Sequence, residues 1–409
     1  MPPLRDGVVK RGSTWSYVIR VTDPRTGLSK PKWVGGFATE DEAKAARDEA
    51  RVAARRGQYV ERNRMTVGEY LALWIDGHAV EIKPKTLAGY RDLINRYVLP
   101  HIGNTRIQAV KPSTLSKLYR DLLASGGVNG RPLSVRTVDQ VHAILRKAFN
   151  DAVRVDEVLA VNPVERAKRP RRERSAVWEV WSADQLRRFL AYASRHRLHP
   201  FFHVAAYTGA RRGELLNLRW SDVDFERGEV TIRGSASVIG GDWVEGSTKG
   251  GYARVVSIDS GTVDILKALR ARQTEERLVA GQAWSGEDHV FTRGLGQPVH
   301  PDTVSQLMPR LVRAHNKDVR ESDQLPPARL HDLRHVHATT LLLAGVPVHV
   351  VAERLGHADP SITLRVYAHV IRQRTAAVAD IFAREIDVSG SEERADDDED
   401  PPALALAPR

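Results

Sequence analysis

The strongest constraint on how this chain folds is a break in it. Lys168-Arg169-Pro170-Arg171-Arg172-Glu173-Arg174 is basic, interrupted by proline and without apolar periodicity, so it reads as an extended, exposed linker. It divides a chain of 409 residues, a length suited to roughly two or three domains of about 150 residues each. Upstream of it, apolar residues recur at helical spacing. Tyr70, Leu71 and Trp74 share one face, Leu87, Tyr90, Leu93, Ile94, Tyr97 and Val98 follow Pro84, then come Leu115, Leu118, Leu122 and Leu123, and finally Val138, Val141, Leu145, Ala148, Phe149 and Ala152. These stripes predict a bundle of about four helices over residues 65–167, with the stripes as its core. Thr66 and Glu69 have the spacing of a capping box at its start.

Before Arg62-Asn63-Arg64, a hinge by composition, the period changes. Trp15 to Val21 alternates as a half-buried strand does, Asp23-Pro24-Arg25-Thr26-Gly27 has turn chemistry, and Lys32 to Phe37 reads as another strand. Thr39 with Glu42 caps an Ala-rich charged helix ending near Gly57. Beyond the linker, Ser182 with Gln185 opens a unit that mixes helices with one short antiparallel patch, built from Glu229 to Arg233, Trp243-Val244-Glu245 and Val255 to Ile258. The expected fold is therefore mixed and mainly α. A small N-terminal β-sheet with a helix (1–60) precedes the four-helix domain (65–167), the basic linker (168–181), an α+β domain with a small antiparallel sheet (182–386) and an acidic disordered tail (387–409).

Charge points to a partner. Lys and Arg number 62 against 51 Asp and Glu, a net +11, although Ser391 to Asp400 alone hold seven acids and one arginine. The remainder is more basic still, and such a field raises encounter rates with nucleic acid and releases its counterions. Lys10, Arg11, Arg20, Lys30 and Lys32 on the small N-terminal sheet are candidates to lie against a DNA groove, and Lys168, Arg169, Arg171 and Arg172 of the linker are candidates to track a phosphate backbone. Cysteine is absent, which removes disulfides and thiolate metal sites. No window of about 18 apolar residues is present, and the N-terminus lacks the apolar core of a signal peptide, so a cytoplasmic, nucleoid-associated protein is expected.

The residues that carry chemistry lie in the last domain. Leu330-His331-Asp332-Leu333-Arg334-His335 is followed by Leu355-Gly356-His357 and then by Tyr367. A tyrosine oxygen can hold a covalent phosphoryl group, an arginine fork matches phosphate oxygens in pairs, and histidine moves protons near neutral pH. Upstream, Thr208-Gly209-Ala210-Arg211-Arg212-Gly213-Glu214-Leu215 places an arginine where an apolar helix meets a glycine turn, and Thr248-Lys249-Gly250-Gly251 places Lys249 between two strand-like runs, at an expected hairpin tip.

The order Arg, Lys, His-x-x-Arg, His, Tyr, with these local motifs, closely resembles the tyrosine recombinases, and the phage-type integrases in particular. The resemblance extends over nearly the whole chain, with the helical unit similar to the family's core-binding domain and the N-terminal unit similar to an arm-binding domain. It implies a site-specific recombinase that cuts and rejoins DNA through a 3′-phosphotyrosine and integrates or excises a mobile element or prophage. Carried over residue by residue, the resemblance makes Tyr367 the nucleophile, Arg211 and Arg334 the ligands of the phosphate, Lys249 the acid that protonates the departing 5′-hydroxyl, His331 a proton-transfer group and His357 a hydrogen-bond donor. No cofactor and no metal are implied. The implied partners are double-stranded attachment-site DNA, three further copies of the chain in a tetramer on DNA, and accessory DNA-bending or directionality proteins. The segment from Arg372 to Ile386, with Val378, Ile381 and Phe382 on one face, would dock on a neighbouring copy or pack internally.

Neighbouring residues keep alternatives open. Arg212 could serve in place of Arg211, and His331 with His335 has the i, i+4 spacing of a zinc pair but no acidic third ligand. His335 reads as a supporting group, and His337, His349 and His369 as ordinary helix residues. Two rival functions are a type IB topoisomerase, which an arm-like N-terminal unit disfavours, and an architectural DNA-binding protein with a vestigial site.

Overall fold

The structure is a computed structural model that describes residues 7–22, 28–55, 59–170, 180–248 and 250–357, with isolated positions 359, 361, 364, 382, 383 and 386 beyond. It is mainly helical with small antiparallel sheets, and it divides into two compact units, Met1–Ser175 and Ala176–Arg409. The calls on Asp23 to Gly27, Arg171, Arg172, Lys249, Tyr367, Val378, Ile381 and the acidic tail lie outside the described residues.

The first unit begins with β1 (Val8–Arg11), β2 (Thr14–Thr22) and β3 (Ser29–Phe37), paired antiparallel in that order, and α1 (Glu40–Arg55). Thr39 and Glu42 form the expected box, each side chain accepting from the other's backbone N–H. Tyr17, Ile19 and Phe37 are buried with Ala43 and Ala50 of α1, so one face of the sheet lies on the helix. The register then sorts the basic residues. Lys10 pairs with Trp15, Lys32 with Ile19 and Lys30 with Val21, which puts these lysines on the helix-side face, because cross-strand partners share a face and alternate residues do not. Arg11 and Arg20 occupy the opposite face, where the Arg11 guanidinium lies 4.2 Å from the Trp33 ring centre and Arg20 donates to the Ser29 carbonyl. The five basic residues are therefore divided between the two faces of the sheet. Lys32 is moreover engaged by Glu61 at 2.7 Å.

The rest of the unit is α2 (Val67–His78), α3 (Pro84–Tyr97), the single turn α4 (Leu99–Ile102), α5 (Pro112–Ser125) and α6 (Val135–Arg154). Thr66 and Glu69 close the capping box on α2, and the apolar stripes meet in one core that includes Leu71, Leu115, Leu122, Leu145 and Phe149. Buried polar tips find partners: Tyr70 donates to the Ala148 carbonyl and Trp74 Nε1 to Asp151, as buried hydroxyl and indole groups must. Lys168 and Arg169 are exposed but tied to this bundle, Lys168 through its backbone N–H to Ser116 Oγ and Arg169 through Asp139.

The second unit opens with α7 (Ala183–Ala193), capped by the Ser182–Gln185 box, then α8 (His199–Thr208) and α9 (Arg212–Leu216). Its strands are β4 (Val223–Asp224), β5 (Glu229–Ile232), β6 (Gly234–Ile239), β7 (Asp242–Ser247) and β8 (Arg254–Ser257), followed by α10 (Ser260–Ala280), α11 (Pro301–Asp318), α12 (Asp332–Leu343) and α13 (Val348–Leu355). The antiparallel patch expected as one sheet is two. β4, β5 and β8 pair in that order, while β6 and β7 form a separate hairpin whose tip is at Gly240 and Gly241. No helix among the described residues is long and apolar enough to cross a membrane.

Candidate active site

Two glycine turns bring the site together. α8 is buried along most of its length and ends at Gly209, whose φ of 62° is left-handed. A Cβ there would lie 2.7 Å from Leu355 Cδ2 and 2.8 Å from His337 Cδ2, so both the backbone and the packing require glycine. Thr208 Oγ1 donates to the Val204 carbonyl and accepts from Ala210 N–H, which fixes the turn. The chain then restarts as α9 with Arg211 at its N-cap, and the Arg211 backbone N–H donates to Glu214 at 2.9 Å. α13 ends in the same manner at Gly356, φ 68°, and delivers His357.

The side chains converge on these turns. Arg334, on α12 and only 4% exposed, donates from Nη1 to the Gly209 carbonyl at 2.7 Å, and from Nη2 to the Leu355 carbonyl at 2.7 Å and His357 Nε2 at 2.9 Å. Arg211 donates to the next carbonyl, that of Gly356, at 3.2 Å and to Glu214 Oε1 at 2.8 Å. Since a guanidinium only donates, His357 Nε2 is the acceptor and the neutral ring carries its proton on Nδ1. His331 sits at the N-cap of α12 with its ring edge-on to His335, centres 5.1 Å apart. It lines a cavity of about 370 Å³ with Phe201, Ala205, Leu215 and Arg329. Arg212 lines the same cavity as His331, and it donates to the Pro301 carbonyl and to Ser305 Oγ at the start of α11. Of the six residues carried over by resemblance, Arg334 is bonded to His357, Arg211 is bonded to the carbonyl of Gly356 just before His357, and His331 lies one turn before Arg334. Among the described residues no group of three His, Asp or Glu has the arrangement of a metal site.

Residues that sequence reasoning did not single out hold the others in place. Glu214, 2% exposed, accepts from Arg211 and, at 2.6 Å, from Arg254 Nη2. Burial would raise its carboxyl, but the bonds from Arg254 and Arg211 outweigh this and keep it below the usual carboxylate range. Arg354 donates to His337 Nε2 and to the Tyr207 and Ser257 carbonyls, and His337 Nδ1 lies 2.9 Å from the Ala206 carbonyl. His337 is therefore a half-buried strut between α8, α12 and α13, not an ordinary helix residue. The only trace of these partners in the sequence was an acid three residues after Arg211 and an arginine opening an apolar run.

Burial and the surrounding cations set the histidines. Burial, then Arg334, Arg211 and Arg254, push His357 down to about 4. Burial and Arg354 push His337 to about 4, and burial with His199 does the same to His203. All three are neutral at pH 7, whereas in the unfolded chain they ionise near 6.5. The unfolded state then binds more protons, so the stability they contribute is complete above pH 6.5 and is lost as pH falls toward 4. Urea denaturation at successive pH values should show the midpoint of the second unit falling continuously across that window. A flat midpoint would mean that the buried rings are already charged.

Residues 179–374 match the phage integrase family, residues 66–123 the phage integrase N-terminal SAM-like domain, and residues 8–52 an arm DNA-binding domain. The chain belongs to the phage integrase family of tyrosine recombinases. The recombinase is 29% identical to a XerC-like tyrosine recombinase of Caldanaerobacter subterraneus subsp. tengcongensis over 90% of this chain and 96% of that one. It is 26% identical to the ICEBs1 integrase of Bacillus subtilis over 84% and 88%. In fold, the recombinase is similar to the Tn1549 transposon integrase in complex with transposon right end DNA, with a TM-score of 0.64 at 20% identity, covering 78% of this chain and 100% of that one. It is also similar to lambda integrase in a tetramer bound to a Holliday junction, with a TM-score of 0.56 at 17% identity over 90% and 96%.

Proposed function

We propose that this recombinase breaks a DNA strand by in-line attack of the Tyr367 oxygen on the scissile phosphate. The P–O bond to the 5′-oxygen breaks, a 3′-phosphotyrosine forms, the tyrosine proton leaves with the help of His331, and a proton from Lys249 goes to the departing 5′-oxygen to make the hydroxyl. Arg211 and Arg334 bind the non-bridging oxygens as charge builds on them. His331 takes part in proton transfer, and His357 donates to the phosphate through the N–H that Arg334 leaves on Nδ1. The phosphotyrosine conserves the free energy of the phosphodiester, so a second strand's hydroxyl can reverse the step and join DNA without a nucleotide cofactor or a metal. The observation that carries this reading is the pair of arginines on the consecutive carbonyls of Leu355 and Gly356, with His357 bonded to one of them. Three donors so arranged form a preorganised cradle for one tetrahedral anion.

The same reading takes the whole process to be integration or excision of a mobile element by four copies on two duplexes, in the cytoplasm at the nucleoid, with accessory proteins for bending and direction. Relatives named as integrases support it. The direct test incubates the protein with a nicked trapping duplex carrying the region that flanks its gene and isolates detergent-resistant adducts. The expected product is joined to the DNA 3′ end through a peptide containing Tyr367, and recombinant joints distinguish a recombinase from a topoisomerase. DNA binding with no adduct would favour the architectural alternative.

Arg211→Ala should leave DNA binding nearly intact and slow cleavage by roughly 10²–10³, the usual result of losing one charge-stabilising donor. Filter binding and single-turnover cleavage measure the two separately. Equal losses in both would make Arg211 a binding residue only.

A further inference from the structure

We propose that Arg254, which no part of the mechanism uses, is a positioning residue for strand cleavage, holding the two glycine turns of the phosphate cradle in register from β8. The inference rests on the recombinase mechanism above. Arg254 opens β8, a strand of the sheet that carries none of the catalytic candidates. Its Nη2 donates to Glu214 Oε2 at 2.6 Å and its Nε to the Arg354 carbonyl at 3.0 Å. The first bond fixes the carboxylate whose other oxygen accepts from Arg211. The second fixes the end of α13, where the next two carbonyls accept from Arg334 and Arg211.

One planar guanidinium therefore spans the start of α9 and the end of α13. Gly356 makes room for it. A Cβ at 356 would stand 2.6 Å from Arg254 Nη1, so the guanidinium passes directly beneath the turn that delivers His357. Arg254 is bonded to Glu214 and to the Arg354 carbonyl, and so acts through the groups that hold Arg211 and the end of α13. A lysine keeps the charge, but its compact ammonium lacks the fork that reaches two acceptors in one plane.

The test uses the full-length chain on the nicked trapping duplex, comparing wild type, Arg254→Ala and Arg254→Lys. Three quantities are read: DNA affinity, thermal midpoint, and the single-turnover rate of adduct formation at saturating protein. Misplacing a reacting group by about 1 Å costs up to roughly 10²-fold in rate. Both variants are therefore expected to bind DNA within about twofold of wild type and to form adduct roughly 10- to 100-fold more slowly, with Lys the better of the two. Arg254→Lys carries the result if Arg254→Ala does not fold. A wild-type rate in the folded variants, or a rate that falls only in step with affinity or folded fraction, overturns the role of Arg254 while leaving the recombinase mechanism standing. Failure of the wild type itself to form an adduct overturns that mechanism instead.

Discussion

Tyr367→Phe is expected to abolish the covalent protein–DNA adduct while leaving DNA binding unchanged. The substitution deletes one oxygen and keeps the ring, so the loss isolates nucleophilic attack from packing and charge. Removal of the nucleophile in an enzyme of this logic lowers the rate by on the order of 10⁶-fold, and what survives comes from the binding groups. Those groups, Arg211, Arg334 and His357, are intact in the variant, and they still offer donors to the phosphate. The variant should therefore shift a labelled duplex in a gel at wild-type concentrations and yield no detergent-resistant product on the trapping substrate. An adduct that persisted would assign the nucleophile to another tyrosine, with Tyr252 the first to examine, since it is 83% exposed on the connection between β7 and β8.

The second large effect concerns stability. Glu214 is enclosed between Arg211 and Arg254, with its side chain 1% exposed and that of Arg254 10% exposed. Its carboxylate makes three bonds, to the Arg211 backbone and to both guanidinium groups. Glu214→Ala removes the anion and leaves two partly buried cations facing each other across the gap. Breaking a buried pair from one side costs about 3–5 kcal/mol, because the stranded charge keeps its desolvation penalty. In a unit of this size, that corresponds to a fall of on the order of 10 °C in melting temperature. Calorimetry of the full chain should show the transition of the second unit moving by this amount and that of Met1–Ser175 staying in place. Glu214→Gln, which keeps the shape and one acceptor, should lose less. A loss below about 1 kcal/mol in Glu214→Ala would show that water already screens the cluster.

How much of this was legible in the chain varied with the range of the forces involved. The capping boxes at Thr66 and Ser182 are visible because each is closed by residues three apart, and the bundle stripes are visible because a buried face must recur at the helical period. The strands of the second unit show the limit. Val244 and Val255 read as neighbours in one patch, yet β7 pairs with β6 and β8 with β5. Alternation reveals that a strand has a buried face, but not which strand lies beside it. The N-terminal lysines and arginines are a related case. Their number was plain, but the register that sends Lys10, Lys30 and Lys32 to one face and Arg11 and Arg20 to the other depends on cross-strand pairing.

By itself, the order of residues determined the class of fold and the family, because local motifs in a fixed order are a one-dimensional signature. The tertiary structure alone decided which groups hold the cradle. Arg334 lies 125 residues from the Gly209 carbonyl it binds, Arg211 lies 145 from Gly356, and Arg254 lies 40 from Glu214 and 100 from Arg354. A charged group buried in a protein must be paired, but nothing in the chain says by which distant partner. That choice was made when two left-handed glycine turns brought the ends of α8 and α13 close enough for Arg334 to bind carbonyls of both and for Glu214 to hold Arg211 and Arg254 together.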